Sequence, residues 1–475
     1  MREFFLGLLL VGSVLLVFRA RKLSPLEASR PLHQEKGLPP LWIGHASTVF
    51  SLNALFGAYL IILMTVGAAA LVGICMGGIT ALLILAFDAS GVLTEKPRTS
   101  FEDYISRKEF ARSKNTDGLL WILVIVTQLI YATGELLILA KVATGSIQIA
   151  PRYAIVFTLG VALIAYLYSS IGGWRGVFET DIYQMFFLGV VFVIFLGACI
   201  TTLWNRSGDN GAVTWISPGG FWFEWPNDLG IWRNSLNCLV GFAMGSAFLL
   251  SSPDTWKRVF AVVKRGSGRR RSIWTLILAG IVPFAVLLPL VAVLPPLNLE
   301  NPDVNALFAS LQQEPLLLVS FLIGVTAAFL SSFDSALLSA THVALLKRRG
   351  EQGPGYTIDN YHVAIGVAFL LIVFAFVGGA TAAVNPYLVG LLLMGFYAVL
   401  GGVILATRFM QRSLVRGLLF WPLLIGLWAW TMYTVTRREI WRAPLPEHLE
   451  MVPVAAGAFF TVALIVALLK EGKAP

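Results

Sequence analysis

Long apolar runs separated by short polar breaks set the pattern of this chain. Runs built from Ala, Leu, Ile, Val, Phe and Gly recur from one end to the other. A helix needs about 20 such residues to cross a bilayer core of ~30 Å. The runs predict thirteen spans, over about 3–18, 41–64, 66–88, 118–142, 152–171, 182–204, 232–252, 274–295, 314–346, 361–379, 386–407, 414–435 and 452–469. A membrane barrel would show short alternating strands instead, so helices are expected. Residues 19–40 and 89–117 read as polar linkers, and 205–231 as a longer loop rich in Gly, Trp and Pro.

Composition sharpens this to an all-α polytopic membrane protein. Of 475 residues, 57% are hydrophobic and 13% charged, and mean hydropathy is +0.78. A soluble domain cannot hide that much apolar surface. Cys75, Cys199 and Cys238 all fall in apolar segments, with spacing that fits neither a disulfide framework nor a zinc site. The five histidines are scattered. No nucleophile–base pair or metal cluster shows, so an enzyme is not expected. FFLGLLLVGSVLLVF has one leading Arg, no small-residue cleavage site and RARK after it, and reads as a retained helix rather than a signal peptide.

Charge placement tests the span count. With the N-terminus outside, alternation puts 27 of the 35 Lys and Arg on the inner side. These include RARK, the 89–117 linker, KRGSGRRR, KRRG, Arg408, Arg412, Arg416, Lys470 and Lys473. That asymmetry follows the positive-inside rule and places the C-terminus in the cytoplasm. A bacterial inner membrane is the expected location. The net charge of +9 then belongs to a rim facing anionic lipid and needs no nucleic-acid partner.

SLNALFGAY, starting at Ser51, returns as SLNCLVGFA, starting at Ser235. The two stretches fall in the second and seventh spans, which five crossings would set in opposite directions. Two inverted five-helix repeats would produce this, with Asn53 and Asn237 placed to bond a solute or freed backbone. A coincidence between two short apolar windows would also produce it.

The fifth and sixth spans meet at YSSIGGWRGVFETDIYQ. Gly172, Gly173, Thr180, Asp181 and Gln184 resemble the signature of the sodium:solute symporter family. SSPDTWKRVFAVVK resembles that family's inner-loop stretch, and AAFLSSFDSALLSATHVALL its sodium-binding helix. The resemblance spans nearly the whole chain in order and spacing. It implies a LeuT-like fold with a helix and linker over 1–40, inverted repeats over 41–204 and 232–408, and two helices over 409–475. The activity it implies is sodium-driven symport of a small organic solute by alternating access. Lys347 stands where the family often has an acid, and FGAY lacks the Pro-Gly break many members show, so the resemblance is that of a divergent member.

Sodium is a hard cation that takes oxygen ligands. Ala328 and Ser331 share a helix face, and the adjacent Ser332 lies about 100° further round. The family's sodium site uses such a hydroxyl pair with an earlier carbonyl, which marks Ala328, Ser331 and Ser332 as ion ligands, with Ala46 and Val49 as partner carbonyls. Small residues that let helices pack closely are the competing account. In the resemblance Asp181 lies on the ion exit path, and an interface pair with Arg175 is the alternative. Asp334 and Glu135 are intramembrane acids, and an isolated carboxylate in a bilayer is expensive. Asp334 is a proton or second-cation site, or a staple between helices. Glu135 and Gln128 are candidates to touch the solute, which an amine-bearing solute would suit. The competing functions are a proton-coupled transporter and a solute sensor with a separate output partner. Solute identity and oligomeric state depend on helix rotation and surface matching, which hydropathy does not encode.

Overall fold

The computed structural model describes residues 68–89, 114–146, 150–207, 228–264, 273–275, 277–278, 315–352, 358–381, 393, 395–397 and 400–401. Seven helices lie among them: α1 Ala68–Ala89, α2 Lys114–Ser146, α3 Pro151–Ser207, α4 Asp228–Ser251, α5 Pro253–Lys264, α6 Pro315–Gln352 and α7 Ile358–Thr381. They coincide with the expected third to seventh, ninth and tenth spans and the stretch after the seventh. Most of the eighth and eleventh spans, and all of the first, second, twelfth and thirteenth, lie outside the described residues.

Local chemistry explains the helix starts. Pro opens α3, α5 and α6, where its missing N–H is not needed and its fixed φ suits the first turn. The Ser252 hydroxyl separates α4 from α5 and accepts the Thr255 N–H at 3.4 Å, which is an N-cap.

The fifth and sixth spans, expected as two helices, are two helical arms of α3 that meet at Gly173, whose backbone is non-helical at φ 55°, ψ −150°. Only glycine adopts that backbone region readily. The break folds the two arms together. Sixteen residues of straight helix would place Tyr168 and Gln184 about 24 Å apart, yet Gln184 Nε2 donates to the Tyr168 hydroxyl oxygen at 3.4 Å.

α6 is the hub, packed against α2, both arms' helix α3, α7 and α5. Its central residues from Phe329 to Val343 are almost all buried. α7 instead buries Ile365, Ala368, Ile372 and Phe376 and exposes Val363, Leu370 and Phe374. An apolar face left exposed opposite a buried one is what a lipid-facing helix presents. By length and composition, stretches of α2, α3 and α6 are able to cross a membrane.

A second seam joins α1 to α4. A Cβ at Gly73 would meet the Cys238 carbonyl, one at Gly77 the Phe242 carbonyl, and one at Gly245 the Ile74 carbonyl. Small residues let the two backbones touch, as in membrane helix pairs. Ser246 Oγ crosses this seam to donate to the Gly77 carbonyl at 3.0 Å.

Candidate functional site

The buried polar residues concentrate where α6 meets α2, α3 and α5. Glu135, Asp181, Arg258, Ser331, Ser332 and Asp334 all have 0% exposure. Groups of this kind stay ionised or polar inside apolar surroundings only when they are paired or hydrogen-bonded.

Two serines of α6 face two different acids. Ser331 Oγ donates to Asp181 Oδ1 at 2.9 Å. Ser332 Oγ lies 2.8 Å from Glu135 Oε2 and 2.8 Å from the Ala328 carbonyl. A hydroxyl has one proton, so it serves one of these acceptors at a time. The result is a cluster of oxygens from α2 and α6, the donor type a hard cation takes. The helix geometry expected Ala328 to converge with Ser331. In the structure the Ala328 carbonyl bonds Ser332 one turn on, because the i−4 carbonyl is the nearest acceptor for an inward serine.

Asp334 is held one turn further along. The Tyr168 hydroxyl donates to its Oδ2 at 2.5 Å, with the Leu330 carbonyl 3.1 Å from the same hydroxyl. The donor is therefore a tyrosine from the first arm of α3. Gln184, from the second arm, completes the chain of contacts through Tyr168.

Arg258 ties these elements to α5. Its Nε lies 3.1 Å from Asp254 Oδ1, its terminal nitrogen 3.5 Å from Asp181 Oδ2 and 3.4 Å from Ser335 Oγ. The guanidinium sits 4.6 Å above the Phe178 ring. Arg175, weighed in the sequence as a partner for Asp181, forms an ion pair with Glu179 at 3.3 Å. The beginning of α5 carried a readable signal, since Asp254 and Arg258 are spaced i, i+4. Tyr168 carried none, since a tyrosine in an apolar run reads as packing.

Gln128 is buried on α2, two turns before Glu135, and its Nε2 has no hydrogen-bond partner among the described residues. Asn237 lies on α4, but its side chain is outside the described set, as are Ala46, Val49 and Asn53 altogether. Among the described residues no three His, Cys, Asp or Glu side chains gather as a metal centre would require.

No protein-family model matches the chain, and no curated protein sequence matches it. Solved structures do. One is a Na+-coupled sialic acid symporter in its substrate-bound outward-open state, with a TM-score of 0.58, 15% identity and 98% of each chain covered. Another is Mhp1, a nucleobase-cation-symport-1 family transporter in a closed conformation with bromovinylhydantoin bound. There the TM-score is 0.53 and the identity 14%, over 94% of this chain and 93% of that one. At such identities the likeness is one of fold, and the fold is the all-helical, LeuT-like architecture of these transporters.

Proposed function

We propose that this chain is a secondary transporter that couples sodium to the symport of a small organic solute by alternating access. The observation that carries the reading is the bond from Ser331 Oγ to Asp181 Oδ1 at 2.9 Å. It joins two fully buried oxygens from helices far apart in sequence. Together with Ser332 and the Ala328 carbonyl it puts hard-cation donors beside an acid, inside a group of apolar helices. In this reading Ala46 and Val49 supply further carbonyls, and Asp181 draws the departing ion toward the inner side. Asn53, Asn237, Gln128 and Glu135 meet the solute.

Inverted repeats over 41–204 and 232–408 belong to the same proposal. Packing supports them: α2 and α6, third in each repeat, lie against each other. Each also packs on the fourth-position helix of the other repeat, α7 for α2 and α3 for α6. A pseudo-two-fold axis between α2 and α6 would produce this exchange.

The test is uptake of radiolabelled solutes into liposomes with and without an inward sodium gradient. Sodium-driven uptake is expected, and Ser331→Ala with Ser332→Ala is expected to weaken sodium activation by about tenfold or more, equivalent to roughly 1.4 kcal/mol. Uptake that ignores sodium and follows a pH gradient would overturn the ion assignment. The proton-coupled reading, which the Tyr168–Asp334 bond favours, would then replace it. Solute binding without uptake would indicate a sensor.

A further inference from the structure

We propose that the transported solute carries a cationic ammonium group, held by the Glu135 carboxylate within a cage of Tyr131, Phe248 and Tyr397; this rests on the transport reading above. The three rings come from α2, from α4 and from the 395–397 stretch. Tyr131 lies 6.5 Å from Phe248 with the planes tilted by 32°, and 6.5 Å from Tyr397 at 69°. Phe248 and Tyr397 meet edge to face at 4.9 Å and 88°. Rings inclined to one another form walls rather than a stack, and such walls recognise alkylated ammonium groups through the negative ring faces.

The acid is placed to serve the cage. Tyr131 and Glu135 are four residues apart on α2, so they occupy one face. A ring cluster that served only as packing would gain nothing from a fully buried carboxylate, which is costly at membrane depth. Gln128 continues the same face one turn before Tyr131, and its buried Nε2 has no protein acceptor among the described residues. It is a ready donor to a carbonyl, hydroxyl or carboxylate oxygen elsewhere on the solute. The buried cations of the described residues, Lys257 and Arg258, both sit on α5. Lys257 lies over the Trp174 ring and Arg258 pairs with Asp254 and Asp181. Glu135 touches Ser332 as well. One carboxylate thus stands between the cage and a proposed ion ligand, and each cation organises the group the other uses.

The test uses the purified full-length protein in detergent. Thermal unfolding is followed in methylamine, choline and tetramethylammonium, each against potassium chloride at equal ionic strength. The neutral isostere of choline, 3,3-dimethylbutan-1-ol, is the control for shape. Saturable stabilisation by at least one ammonium ion is expected, and none by the alcohol. Glu135→Gln and Tyr397→Leu are each expected to weaken the apparent affinity about thirtyfold, and Tyr397→Phe only a few-fold, because it keeps the ring face. Unliganded melting of each variant reports whether it folds, and Tyr131→Phe against Tyr131→Leu repeats the comparison if Tyr397→Leu does not. The proposal is overturned if no ammonium ion stabilises the protein beyond potassium, if the alcohol binds as well, or if Glu135→Gln leaves the affinity unchanged. Sodium-driven uptake of a solute without an ammonium group would overturn this inference and leave the transport reading standing. Ammonium binding without uptake would support the cage and overturn the transport reading.

Discussion

The α1–α4 seam and the α3–α6 seam solve the same problem in opposite ways. Both join helices in apolar surroundings, where burial of greasy side chains drives nothing because lipid is equally greasy. The first seam closes by subtraction: Gly73, Gly77 and Gly245 remove side chains until backbones touch. The second closes by addition, with Tyr168, Asp181, Gln184, Ser331 and Asp334 facing one another at full burial. A backbone contact has one good arrangement. A set of hydroxyls and carboxylates has several, because protons and ions redistribute among its oxygens. The contrast places rigidity at the glycine seam and rearrangeable hydrogen bonding at the polar one. α5 bridges them, since it packs on α1 and reaches α6 through Arg258.

The strongest way to break this contrast is at the bridge. Arg258→Leu leaves the Asp181 and Asp254 carboxylates without their guanidinium and is expected to cost roughly 3–5 kcal/mol, read as a lowered melting midpoint in detergent. Adding Asp181→Asn and Asp254→Asn to the same chain should restore most of the loss. Wild-type melting of the single variant would show that Arg258 is not a structural tie.

Next in size is Gly77→Val, which drives a side chain into the Phe242 carbonyl. Because the obstacle is backbone, the cost should fall near the upper end of overpacking penalties, about 3 kcal/mol. If the variant melts like the parent, the seam is looser than the geometry states.

Tyr168→Phe removes the donor to Asp334 while keeping the ring. A loss of about 2 kcal/mol is expected from the stranded acceptor. Asp334→Asn in that background should recover part of it, and a purely apolar role for Tyr168 would leave the single variant unchanged.

Ser246→Ala removes the hydrogen bond across the glycine seam and should cost only about 0.6 kcal/mol, the usual size for such bonds between membrane helices. A loss as large as that of Gly77→Val would mean that the bond, rather than close packing, holds the seam.

Residue order was enough to place helices, because crossing a bilayer imposes a length and a composition that local sequence must display. The stretches 66–88, 118–142 and 361–379 emerge as α1, α2 and α7 within a few residues. The polar positions were visible too: Asp181, Glu135, Asp334 and the Ser331–Ser332 pair stand out because charged and hydroxyl residues are rare in such segments. Partners were not visible. Nothing local in the chain tells Asp334 that its donor is Tyr168, 166 residues earlier, or sends Arg258 to Asp181. A hydrogen bond is satisfied within about 3 Å, and that distance is set by how helices rotate against each other. The hydropathy pattern ended one span and began another around YSSIGGWRGVFETDIYQ, but only the packed arms show that the break brings Gln184 back to Tyr168. Sequence by itself determined the all-helical class, the helices among the described residues and the inventory of unusual groups. Tertiary packing decided which groups meet, because helix rotation and crossing are set by contacts between segments far apart along the chain.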